Sequence, residues 1–125
     1  MVIASCALMG CNAPDPIGEV TQYLGSDVTI DVANGKGKLR SVATLSAVGV
    51  GAVPATRYAA CSAYQAAVNR GISEIYLVGL TTDRNNDEWT AVGNYIISPD
   101  APMGATWLDT AATLELCRER GTPTS

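Results

Sequence analysis

Four cysteines, Cys6, Cys11, Cys61 and Cys117, are the most reactive side chains in this chain, and they stand in a sequence without a single histidine. That absence removes the commonest general base, the usual activator of a nucleophile and the commonest metal ligand. A cysteine with neither a base nor a metal beside it is left with acylation, pairing with a second cysteine, or burial as a small apolar group. Cys11 closes the run Leu8-Met9-Gly10-Cys11, which breaks at once into the polar, proline-marked Asn12-Ala13-Pro14-Asp15-Pro16. In an oxidising compartment a bond between Cys61 and Cys117 is plausible, whereas in a reducing one both stay reduced and simply pack. Closing a loop of about 55 residues contributes roughly 3–4 kcal/mol on the chain-entropy account.

Leu8-Met9-Gly10-Cys11 resembles the lipobox that ends the signal peptides of bacterial lipoproteins. The resemblance implies that Met1–Gly10 is a leader, that Cys11 is lipidated and becomes the mature N-terminus, and that Asn12 to about Ile17 is an extended tether. The same residues also read as an N-terminal buried strand, Met1–Leu8, and the two readings stay open. A second resemblance lies at Ala59-Ala60-Cys61-Ser62-Ala63, which with Gly71 and Leu77-Val78-Gly79 is similar to the nucleophile region of thiolases and ketoacyl synthases. Here Cys61 falls in the middle of a helix, away from the N-terminal dipole that lowers a thiol pKa, and that family's histidines are missing. No catalytic residue and no cofactor are expected.

Oxygen ligands at Asp83, Asn85 and Asp87 match the first spacings of a calcium loop. Glu88 occupies the place of its glycine and Asn94 that of its bidentate glutamate, so the stretch reads as a solvated turn without metal. Gly49-Val50-Gly51-Ala52-Val53-Pro54 fits neither phosphate-binding glycine pattern and reads as a connector.

These side chains must be positioned by the stretch Pro54–Leu80 and what covers it. Pro54 suits a first helical turn, the residues after it are mostly helix formers, and Gly71 stands where a left-handed cap belongs. Helical spacing puts Ala60, Cys61, Tyr64, Ala67 and Val68 on an apolar face, opposite Tyr58, Ser62, Gln65 and Asn69. Ile75–Leu80 then runs apolar without alternation, as a strand covered on both faces does. Upstream, strands are expected at Ile17–Leu24 and Asp27–Ala33, a hairpin turn at Asn34-Gly35, and a return strand from about Leu39 to Val48. Downstream, Trp89–Ser98 alternates with Trp89, Ala91, Gly93, Tyr95 and Ile97 on one face. A linker follows at Pro99–Pro102, and a helix is expected over about Thr106–Arg120.

The whole reads as a single α+β domain over residues 12–125, roughly ββαββα, a mainly antiparallel sheet with two helices on one face. Charged residues make up only 16% of the 125 residues, against a usual share of about 25%. A net charge of −4, with Lys36, Lys38 and Arg40 as the basic cluster outside the helices, argues against nucleic-acid binding. No apolar run reaches the roughly 18 residues of a membrane-spanning helix. The expected function is therefore a non-catalytic, lipid-anchored domain on the periplasmic side of the bacterial cell envelope that binds a protein partner. The alternative is a virion or other self-assembling structural protein. With so few charges, an exposed apolar patch is expected, and Trp89 and Tyr95 are the residues expected to meet the partner, on an uncovered sheet face or a sheet edge.

Overall fold

Asn34 and Gly35 take left-handed φ values of 57° and 77°, and there the chain doubles back between strands β1 (Glu19–Ala33) and β2 (Lys36–Val48). Asparagine followed by glycine is the pair best able to hold such a turn. The computed structural model describes residues 18–97 and 106–125, and side chains for all of these except 106–109. Cys6, Cys11, the strand considered for Met1–Leu8 and the linker Pro99–Pro102 lie outside the described residues. The two short strands expected before Asn34 form one long strand with two bulges. Thr21 and Leu24 each lack a partner in β2, and Gly25 bends the strand at φ 147°.

Helix α1 (Ala52–Asn69) follows, with Pro54 in its first turn. It ends at Gly71, φ 74°, where the Ile72 N–H donates to the Ala67 carbonyl at 2.8 Å and the Gly71 N–H to the Val68 carbonyl at 3.0 Å. This paired closure satisfies the carbonyls that a helix end leaves orphaned. Strands β3 (Glu74–Asn85) and β4 (Glu88–Ile97) form a second hairpin, then come β5 (Thr106–Asp109) and helix α2 (Thr110–Arg120). The sheet order is β1-β2-β4-β3-β5, and every neighbouring pair is antiparallel. This is a single α+β domain: an antiparallel sheet with two helices.

Three further expectations are corrected by the structure. The last helix begins at Thr110 rather than Thr106, because the residues before it pair with Glu74–Leu77 of β3. The Thr110 hydroxyl donates to the carbonyls of Ile72 and Ser73 at 2.9 and 3.1 Å and so holds the helix start against the α1–β3 turn. Next, β3 is not covered on both faces: Val78 is 53% and Leu80 42% exposed. Finally, the buried face of α1 is wider than the expected one. Cys61, Tyr64 and Ala67 are buried as expected, but so are Tyr58, Ala59, Ser62 and Ala63, while Val68 is exposed. Small residues on the sheet explain the wider burial. Ala43, Ala47, Ala91 and Gly93 let the alanines of α1 approach closely, and the buried Ser41 hydroxyl donates to the Ala59 carbonyl at 2.7 Å.

The core has two parts along α1. One gathers Ala43, Leu45, Ala47, Ala55, Tyr58, Ala59 and Ala91. The other gathers Leu39, Tyr64, Ile75, Tyr95, Ile97, Leu114 and the two cysteines.

Candidate functional site

The expectation that Trp89 and Tyr95 form an open partner surface is corrected by the burial pattern. Both lie on the helix-covered side of β4, in line with Ala91 and Gly93, and Tyr95 is only 3% exposed. Tyr95 packs edge-on against Tyr64 of α1 with ring centroids 6.3 Å apart. Burial raises the Tyr64 phenol to about 12, and burial together with a neighbouring Tyr64 anion pushes Tyr95 higher still. Trp89 closes the other end of the same side. Its ring lies against Gly51, where an added Cβ would fall 2.5 Å from Cδ1, and the Arg84 guanidinium sits 5.1 Å from the ring centroid. These are core and boundary contacts, so the partner-facing residues must be sought elsewhere.

Cys61 of α1 and Cys117 of α2 are joined by a disulfide, with Cα atoms 5.9 Å apart. The bond holds α2 to the helix that lies on the sheet, beside Tyr64, Ile75 and Leu114 in one core cluster. Among the described residues there is no free cysteine and no group of metal-ligating side chains. Asp83 and Asn85 belong to the β3 ladder, opposite Thr90 and Glu88, which leaves Asn86 and Asp87 alone to make the turn.

Among the described residues two surfaces are left uncovered. The first is the edge of β3. Its twelve residues pair with β5 only through the four from Glu74 to Leu77, so the eight from Val78 to Asn85 have β4 on one side and no strand on the other among the described residues. Beside that edge, Ala52, Val53, Thr56 and Arg57 of α1 and Leu80 and Thr82 of β3 line a groove of about 460 Å³. An open edge offers a row of main-chain donors and acceptors, and side-chain groove and edge together are what an added strand needs. The apolar run Ile75–Leu80 hid this feature in the sequence, because its first half is buried and its second half is not.

The second surface is the sheet face turned away from the helices. There Val42, Thr44, Thr90, Val92 and Ile96 are half-buried, and no described helix or strand packs on them. Alternation along β2 places Lys36, Lys38 and Arg40 on this face, since Gly37, Leu39 and Ser41 point toward the helices. The sequence showed the basic cluster but not the face that it occupies. No described helix is long and apolar enough to cross a membrane.

The family described as YNQ4 C-terminal domain matches residues 28–121, a span that takes in both bonded cysteines, the basic row of β2 and the open edge of β3. No curated protein and no solved structure matches the chain.

Proposed function

The chain belongs to the YNQ4 C-terminal domain family, and from there we propose that it is a non-catalytic binding domain of the bacterial cell envelope, tethered through Cys11, that holds a protein partner by strand addition to β3. The observation that carries this reading is the unpaired Val78–Asn85 edge lying beside the α1 groove. An extended partner segment would gain main-chain hydrogen bonds along the edge and set alternate side chains against Val53 and Leu80. The tether rests on the lipobox-like run ending at Cys11. The Cys61–Cys117 bond supports an oxidising compartment, and it weighs against the alternative of a virion protein assembled in a reducing cytosol.

A photo-cross-linking residue placed at Leu80 in the native host tests the reading, with the same residue at the exposed Glu119 as control. The expected result is one adduct with a different protein from Leu80 and none from Glu119. An adduct with a second copy of the chain would support self-assembly instead, and equal labelling from both positions would overturn the edge as the site. Intact mass from the same cells reads the tether. A chain beginning at an acylated Cys11 is expected, and an unmodified chain retaining Met1–Gly10 would end that part of the proposal.

A further inference from the structure

Three of the eight basic residues, Lys36, Lys38 and Arg40, share one row of β2 in a chain whose net charge is −4. Neither Lys38 nor Arg40 is in an ion pair; among the described residues the ion pair is Arg118 with Glu115. Across the next strand Asn94 stands opposite Arg40 and Ile96 opposite Lys38. The unpaired residue of β3, Val78, adds an apolar side chain beside Asn94. Lys38, Arg40, Asn94, Ile96 and Val78 line a half-enclosed cavity of about 350 Å³ on the face away from the helices.

The cavity thus combines two uncommitted cations, an amide donor and an apolar floor. A volume near 350 Å³ is at the lower end of small-molecule pockets. We propose that it binds a free single-chain anionic amphiphile, with the carboxylate held by Arg40, Lys38 and the Asn94 amide and the chain laid over Val78 and Ile96. Charge complementarity selects the sign of the headgroup, and the flanking strand selects a single molecule over a bilayer. Asp27 and Asp31 lie in β1 on the same face, Asp31 in register with Lys38, and they oppose a broad anionic surface while leaving room for one headgroup. The cavity shares Val78 with the β3 edge, but its cations lie on β2 and it takes in neither Leu80 nor the α1 groove, so decanoate binding and cross-linking at Leu80 test the two proposals separately.

Sodium decanoate, below its micelle concentration and at low salt, is the probe, titrated into the isotope-labelled chain and followed by NMR. Saturable shifts are expected at the Val78 and Ile96 methyls and the Asn94 side-chain amide, with none from decyltrimethylammonium. Arg40→Gln should weaken decanoate binding about tenfold, the loss of one charged hydrogen-bonding partner. Both cations are exposed, and an unchanged spectrum at Leu39 and Ala43 shows that the variant is folded. Equal response to both headgroup signs, or unchanged affinity in Arg40→Gln, would overturn the proposal. So would binding to phosphatidylglycerol vesicles without binding to monomeric decanoate, which would mark a membrane-facing surface instead.

Discussion

Reducing the bond between Cys61 and Cys117 removes no heavy atom from the core, so the stability lost measures the cross-link itself. The two residues are 56 apart in sequence. On the chain-entropy account a loop of that length costs the unfolded chain about 14 cal/mol/K, or about 4 kcal/mol at 25 °C. Domains of this size are stable by about 5–15 kcal/mol, so the bond carries a large share. Equilibrium urea unfolding at pH 7, followed by circular dichroism with and without a phosphine reductant, reads it directly. With a slope of about 2 kcal/mol/M, the midpoint should fall by roughly 2 M. The loss should also have a local part. Besides the bond, the contacts of α2 include buried Leu114, the two hydrogen bonds of the Thr110 hydroxyl and that of the Thr110 N–H to the Ser73 carbonyl at 3.2 Å. Its amides should therefore exchange faster on reduction than those of β2. A loss below about 1 kcal/mol would refute the entropic argument, and α2 amides that remain as protected as those of β2 would refute the local one.

Gly51→Ala should destabilise the domain by about 1–3 kcal/mol, since the new Cβ meets the Trp89 ring and overpacking costs that much; a red-shifted tryptophan emission accompanies it, and an unchanged thermal midpoint would contradict it. Alkali should unfold the chain through its buried phenols. Folding raises Tyr64 to about 12 and Tyr95 further, so their contribution is complete below pH 10 and is lost as the pH climbs through the folded values. The loss is up to about 1.4 kcal/mol per pH unit for each group. Tyrosinate absorbance should then rise cooperatively above pH 10, whereas independent titration of all five tyrosines near 10 would contradict the burial.

What was legible in the sequence was local chemistry. Asn34-Gly35, Gly71 and Pro54 act within a few residues, and each sits where its backbone preference places it. The alternation of Trp89, Ala91, Gly93, Tyr95 and Ile97 was legible too, because one strand determines it. Which side of the sheet the helices cover is a non-local fact. A period of two says that Trp89 and Tyr95 share a face but not which face, and the small Ala91 and Gly93 between them were the cue that a helix packs there. β5 was hidden because Thr106–Asp109 precede a helical pattern and pair only with a distant strand. The same reason hid the open edge, whose extent depends on where β5 stops.

The bulge at Val78 works as a parity switch for the rest of β3. Leu77 faces the helices opposite Tyr95, and strict alternation from there would bring Gly79, Thr81 and Asp83 to the same side. With Val78 left out of the pairing, Leu80, Thr82 and Arg84 come there instead, opposite Gly93, Ala91 and Trp89. Looping Val78 out of the ladder therefore decides whether a cation or an anion meets the indole face, and whether Leu80 lines the α1 groove or turns away from it. Deleting Val78 would close the bulge and leave every residue from Gly79 to Asn85 on its present side, because Gly79 would follow Leu77 in the ladder, opposite Asn94 as now; drawing Val78 into the ladder would instead act as a frameshift acts on a reading frame and turn them all to the opposite side. A family alignment should therefore admit a one-residue deletion at this position, where the register of Gly79–Asn85 survives it.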